Sequence, residues 1–310
     1  MNKIHSNQHT ANHSKVDLNL LRVLVAIYRE RQLGRAAAEL ALTPSAISHA
    51  LRRLRDTFDD QLFVRNGRYQ QPTALCEKLV PELNEVLARM QGLVSRGRNF
   101  SPTTTQRTFR IGMPEALEAE LFPRIYKRLQ QAAPQAKLES IAVPHTQISD
   151  YLLNRKADVV IDVAMAMSSP IQQQPFLQEP FAVLSRANEQ QQLTRERYLA
   201  SSHLAVSTRA RGSVLEDMLL RELGVERHIL ARVQSYQTAA QLVTATGALL
   251  TLPARIAQRL VTQYSLRSWP MPIAVPATRL QVYWHAAYEN DPALTWLLKN
   301  LQTVIEISTE

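Results

Sequence analysis

Between Leu18 and Phe58 apolar residues recur with the helical period in separate runs. Leu20, Leu21, Leu24, Val25 and Tyr28 mark one face of a first helix, which Asp17 can cap. The alanine-rich run from Gly34 to Ala41 predicts a second, short helix with a face small enough for close packing. Ile47, Leu51, Leu54 and Phe58 then form the buried stripe of a third. Thr43 is its N-cap and Pro44 its first residue, where the missing N–H costs nothing. After Phe58 the pattern shortens. Leu62 and Val64 alternate around Phe63, and Asn66-Gly67 signals a hairpin turn. Two helices, a turn, a third helix and a hairpin predict a winged helix-turn-helix.

From Thr73 the seam Leu75, Leu79, Leu83, Val86, Met90 and Leu93 advances in heptad-like steps. Such a helix forms a rod of roughly 33 Å, which cannot bury its stripe alone. A second copy of the chain would bury it; packing on the chain's own carboxy-terminal domain is the alternative. Pro81 should bend this helix or remove one hydrogen bond. The polar stretch SRGRNFSPTTTQ reads as a hinge. Beyond it strands and helices alternate: TFRIGM, AKLESIAV, ADVVIDVA, HLAVST, LARVQS and ALLTLP read as strands with helical runs between them. That succession predicts two α/β subdomains rich in parallel pairing. In YWHAAYENDP, His285 and Asp291 suggest a dyad, but Val282, Trp284 and Ala286 alternate as a strand does, and Asp291-Pro292 reads as a helix cap.

Charge sharpens this outline. The 310 residues, enough for two or three domains, carry a net charge of +9, with 29 arginines against 7 lysines. Residues 1–106 hold +6 of that excess. Guanidinium suits phosphate and guanine edges. The polar face of the third helix places Ser45 and Ser48 near its amino end, with His49, Arg52 and Arg53 beyond. Together with Arg35, Thr43 and the hairpin's Arg65 and Arg68, these are the candidate DNA contacts. Arg52, Arg53 and Arg55 have only Asp56 and Asp59 close in sequence, so pairing would leave cations over. Cys76 is the only cysteine, which excludes an intrachain disulfide and suits a reducing compartment; an inert buried thiol is expected. No apolar run reaches membrane length, and the first sixteen residues lack a signal-peptide core, so a cytoplasmic protein is expected. The signatures GxxxxGK[ST], GxSxG, HExxH and CxxC are absent; no catalytic residue, metal or cofactor is expected. His5, His9 and His13 lie in a polar tail and read as fortuitous.

LTPSAISHALRRLR, FDDQLFVR and the run from Leu18 to Thr73 around them resemble the DNA-binding domain of LysR-type transcriptional regulators. The resemblance continues to the carboxy terminus; FDDQLFVR and YWHAAYENDPALTWLLKNL are most similar to the branch of nodulation and aromatic-degradation regulators. It places Ser45, Ser48, His49, Arg52 and Arg65 at DNA. Two departures remove hydrogen-bonding groups: Leu33-Gly34 replaces a Ser/Phe-Thr pair, and Pro44 stands where glutamine is frequent.

The resemblance implies a tail (1–16), a winged domain (17–72), a dimerising linker helix (73–95), a hinge (96–106) and a type II periplasmic-binding-protein-like domain. The last is divided into subdomain I (107–169 and 269–310) and subdomain II (170–268). A small-molecule effector is expected between the subdomains, near Met113, Pro114, Glu115, His145, Thr146, Ser207, Thr208, Arg209, Tyr236 and Thr246. Pro114 offers no hydroxyl to a carboxylate, and Glu115 already occupies the positive end of its helix, so a neutral or aromatic effector is expected. The expected partners are double-stranded operator DNA, a second copy as homodimer with a homotetramer beyond it, and RNA polymerase if the protein activates. The competing reading is a metabolite-binding protein or enzyme on the same α/β fold with a vestigial DNA head.

Overall fold

The computed structural model describes residues 17–96, 100–207 and 212–306. The tail with His5, His9 and His13, and the positions Thr208 and Arg209, lie outside these. The chain forms two compact units that divide between Val94 and Ser95.

The first unit contains α1 (Leu18–Glu30), α2 (Leu33–Glu39), α3 (Pro44–Phe58), β1 (Phe63–Asn66), β2 (Tyr69–Pro72) and α4 (Ala74–Arg96). Asp17 caps α1 by accepting from the Asn19 N–H at 3.0 Å. α2 stops short of the expected Ala41, because Ala41 takes a left-handed φ of 53° and the Leu42 N–H closes back on the Ala37 carbonyl at 2.9 Å. That turn delivers Thr43, whose Oγ1 accepts from the Ala46 N–H at 3.2 Å and starts α3. Ile47, Leu51 and Leu54 are buried, with Phe58 packed against them.

The hairpin turns one residue later than Asn66-Gly67 suggests. Asn66 pairs with Tyr69, so Gly67 and Arg68 form the loop; Gly67, at φ +60°, holds the first loop position, where a II′ turn needs glycine. The expected alternation also fails at its start. Leu62, at φ 56°, and Phe63 are both buried, while Val64 is exposed.

α4 runs unbroken through Pro81. Thr73 anchors its start: its Oγ1 accepts from the Cys76 N–H at 3.2 Å and donates to Asp60 at 2.7 Å. The helix carries two neighbouring apolar sectors. Cys76 and Val80 are buried in the winged unit's own core, and Leu79, Leu83 and Leu87 pack against it. The rest of the expected seam turns away by the 100° step per residue: Leu75 and Met90 are half-buried, while Val86 and Leu93 are 47% and 63% exposed. Burial pushes the Cys76 thiol pKa up to about 12.

The second unit contains β3 (Thr108–Gly112), α5 (Glu115–Ala132), β4 (Lys137–Ile141), α6 (Ile148–Leu153), β5 (Val159–Val163), β6 (Ile171–Glu179), β7 (Phe181–Arg186), α7 (Arg195–Ala200), β8 (Ser202–Val206), α8 (Leu215–Glu222), β9 (His228–Val233), α9 (Tyr236–Thr246), β10 (Leu249–Pro253), α10 (Ala254–Tyr264), β11 (Leu266–Pro270), β12 (Thr278–His285) and α11 (Pro292–Glu306). Two five-stranded sheets result, ordered β4-β3-β5-β12-β6 and β11-β7-β10-β8-β9. Both are mixed: β12 in the first and β7 in the second run antiparallel to their neighbours.

The expected subdomain boundaries at 170 and 268 need correction. β6 pairs along its length with β12 and therefore belongs to the first sheet, so the chain crosses at Pro180. β11 pairs with β7 through Pro270, so the return follows it. Asp291 caps α11 through the Ala293 N–H (2.9 Å) and also binds Arg107 at 3.0 Å, whereas His285 Nδ1 accepts from the Ala287 N–H at 3.1 Å. Both groups have structural work.

Candidate nucleic-acid interface and effector region

Ser45, Ser48, His49, Arg52 and Arg53 are all exposed on α3, as their place opposite the buried stripe requires. A concave groove of about 700 Å³ joins the start of α2, the middle of α3 and the hairpin. Its walls are Gln32, Leu33, Gly34, Ser48, Leu51, Arg52, Arg55, Arg65, Arg68 and Gln70. Four of these are arginines and none is acidic, so the groove presents a positive surface.

The arginines differ in their commitments. Among the described residues nothing pairs with the Arg52 side chain. Arg65 Nε donates to the Gly67 carbonyl at 3.0 Å, and the Arg68 guanidinium lies 5.2 Å from the Tyr69 ring centroid. Arg55 donates to the carbonyls of Gln61 (2.9 Å) and Phe63 (3.0 Å) and so fixes the base of the hairpin. Arg53 lies outside the groove and reaches Asp17 at 3.5 Å. Thr43 is occupied as a cap, and Ser48 Oγ donates to the Pro44 carbonyl at 2.9 Å. Arg35 and His49 are exposed but do not line the groove. Sequence reasoning missed Gln32, Arg55 and Gln70. The Gln70 N–H donates to the Arg31 carbonyl at 2.8 Å, which draws the hairpin against the end of α1; no local sequence signal marks that contact.

In the second unit most of the expected effector positions sit at the carboxyl ends of strands. Pro114 precedes α5, and Glu115 is exposed in its first turn. Met113 is a correction: it is 1% exposed, because its N–H donates to the Ile141 carbonyl (3.0 Å) and prolongs the β3–β4 pairing into the core. Ala116 and Tyr236 both pack against the apolar cluster of the second sheet. Burial first, then the charges of Glu216 and Glu179, raise the Tyr236 phenol pKa. His145 Nδ1 lies 3.0 Å from the buried Asp162 carboxylate, and Thr146 beside it is exposed. The Ser207 N–H donates to the Val233 carbonyl at 2.8 Å, and Ser235 caps α9 through the Thr238 N–H at 3.2 Å.

Thr246 is a second correction. It ends α9, ten residues from Tyr236, or roughly 15 Å along the axis. Its Oγ1 donates to the Leu242 carbonyl (2.7 Å) and accepts from the Ala248 N–H (3.1 Å), which makes it part of the helix terminus. The sequence reading also missed the pair Glu179–Arg255, 2.9 Å apart, which joins the end of β6 to the start of α10. Among the described residues no cluster of three or more His, Cys, Asp or Glu side chains could hold a metal ion, and no helix is long and apolar enough to cross a membrane.

Residues 18–77 match the model of a bacterial regulatory helix-turn-helix protein, lysR family, and residues 103–306 match that of the LysR substrate binding domain. The HTH-type transcriptional activator NahR of Pseudomonas putida is 27% identical over 285 residues, 91% of this chain and 95% of that one. Nodulation protein D 1 of Mesorhizobium japonicum is 31% identical over 287 residues, covering 91% of each chain. A probable transcriptional regulator of Pseudomonas aeruginosa has a similar structure, with a TM-score of 0.64, 31% identity and coverage of 93% of this chain and 97% of that one. Full-length OxyR from Pseudomonas aeruginosa shares the fold with a TM-score of 0.74 at 20% identity, covering 94% and 96%.

Proposed function

The chain belongs to the LysR family of bacterial transcriptional regulators, and on that premise we propose how its parts divide the work. The winged unit binds double-stranded DNA with α3 in the major groove and the hairpin along the backbone. The single observation that carries this is the groove between them, lined by Arg52, Arg55, Arg65 and Arg68 with no acid. Ser45, Ser48, His49 and Arg52 face the bases or the adjacent phosphates; Arg35, Thr43, Arg53, Arg65 and Arg68 supply backbone contacts.

Val86, Met90 and Leu93, with the flanks of Leu75, Leu79 and Leu83, form the contact with a second copy. The sector left open on α4 beside the one used in the monomer supports this reading. Two heads then read two half-sites, and a tetramer is the next assembly. The second unit takes a neutral or aromatic effector between its sheets, near Pro114, Glu115, His145, Thr146, Ser207, Thr208, Arg209 and Tyr236, and the protein acts in the cytoplasm without catalysis or a cofactor. As an activator it would also meet RNA polymerase.

Capture of bound genomic DNA, combined with a salt series on the recovered duplexes, tests the reading. DNA retention that falls steeply with salt is expected. Salt-independent retention, or turnover of a metabolite without DNA binding, contradicts it in favour of a binding protein or enzyme with a vestigial head.

A further inference from the structure

We propose that the second subdomain carries a proton-operated catch: α8 is seated on its sheet by the uncharged form of Glu216 and loosens when that carboxyl ionises. The catch lies on the α7 and α8 side of the sheet and needs neither effector nor DNA.

Two carboxylates share one cation there. Arg227, just before β9, has no exposed side-chain surface. Its Nε donates to Asp217 Oδ1 at 2.7 Å, one terminal nitrogen closes on the same oxygen, and the other lies 3.5 Å from the Tyr198 hydroxyl. The guanidinium is thus committed before Glu216 is reached. Glu216, 6% exposed in the first turn of α8, comes only within 3.8 Å of it, beyond hydrogen-bond length. Arg232 on β9 is the other cation that faces Glu216; it is exposed and donates to the Gly212 carbonyl at 2.6 Å. Asp217 adds a like charge, and α7 and α9 present the neutral phenols of Tyr198 and Tyr236. With both acids ionised, one negative charge is left over in the interior. A proton on Glu216 removes that excess. Burial, with Asp217 added, outweighs the pull of Arg227 and pushes the Glu216 pKa up to about 7.

The seat itself is thin. α8 is eight residues long, Val214 gives its start no side-chain cap, and Leu220 with Val225 supplies the apolar hold on the cluster around Tyr198. A charge forced into that contact acts on α8 before the rest of the sheet. The released carboxyl has the ordinary value of 4.5 and the seated one about 7, so seating binds a proton. The hold is complete below pH 4.5, weakens as pH rises to about 7 by about 300-fold in all, and levels off above it.

Hydrogen–deuterium exchange of the full chain between about pH 5 and 8, corrected for the intrinsic rate, tests this. Protection across α8, relative to α11, should fall by about 70-fold over that range, most of it below about pH 7. In Glu216→Gln, which keeps the shape without the charge, protection should stay high throughout. Asp217→Asn frees Arg227 for Glu216 and should move the fall to lower pH, which a merely structural role for either acid would not do. His203, on the same sheet, titrates in the opposite sense but is common to all three proteins, so differences from wild type isolate Glu216. Protection of α8 that follows α11 at every pH, or a fall of wild-type size in Glu216→Gln, overturns the inference. Should that variant fail to fold, an unmoved fall in Asp217→Asn does the same.

Discussion

Arg52 and Arg55 lie three residues apart on α3 and carry the same side chain, yet the structure separates their work. Arg52 is exposed and, among the described residues, unpaired, so its replacement by alanine should change folding stability by less than about 0.5 kcal/mol. If it touches a base edge, the loss in affinity for a selected site should be about 1–3 kcal/mol, or roughly 5- to 150-fold. If it touches phosphate, the slope of log affinity against log salt should fall by about one unit instead. Arg55→Ala removes two hydrogen bonds from a charged donor to the Gln61 and Phe63 carbonyls. The first is exposed to solvent and screened, so the pair together contributes about 1–3 kcal/mol. In a unit of this size each kcal/mol is worth about 4–8 °C in Tm. Urea melts and fluorescence-anisotropy salt series on both variants measure the two effects. Arg52→Ala with wild-type affinity and slope, or with a melt that matches Arg55→Ala, would refute the division of labour drawn from the groove.

Three further outcomes are expected. Val86→Asp and Leu93→Asp place charge on the open sector of α4 and should yield smaller species in sedimentation with the helix content kept; wild-type sedimentation by both would put the subunit contact elsewhere. Cys76 should resist a thiol reagent in the native protein at about pH 8 and react once unfolded. Because its folded pKa is raised from 9.0 to about 12, its contribution to stability is complete below the lower value and lost as pH rises through the upper one; fast native labelling contradicts this. His203 is buried, donates from Nε2 to the Tyr198 carbonyl at 2.7 Å, and has its pKa pushed down to about 4, chiefly by burial. The unfolded chain then binds the extra proton first, so stability should decline as pH falls from 6.5 through 4, and His203→Gln should flatten that decline. Parallel pH profiles for the two proteins would remove His203 as the cause.

The helices of the winged unit were legible because their signals are local. Thr43, Pro44 and the Ile47 stripe lie within a few turns of one another and determine where α3 begins and which face it buries. The hairpin's exact turn depended on where β1 and β2 pair, which Asn66-Gly67 alone does not settle. The run IQQQPFLQEPFAV looks too polar and too rich in proline for two strands. β6 is held by β12, far along the chain, and β7 by β10 and β11, so nothing nearby marks either. A heptad count on α4 found one apolar sector and passed over Val80 and Leu87, whose partners come from the helices of the winged core. At the effector region, strand ends were read correctly from the βα alternation. Met113 and Thr246 failed because burial and helix orientation are tertiary facts. Gln281 and Asp162 become neighbours only when β12 pairs with β5.

The two passages between the sheets have a mechanical consequence. A body held to another by one flexible strand can swing and twist about it in many ways. Two separate strands leave one easy motion, a rotation about the line that joins them. Pro180 is the first such pin, and its carbonyl is gripped by the Ala254 N–H at 3.0 Å while Glu179 next to it holds Arg255. The second is the segment between β11 and β12. The second subdomain is therefore hung like a door, with α10 bolted beside one hinge. The topology thus leaves the second subdomain one swing relative to the first, about the line through those two passages.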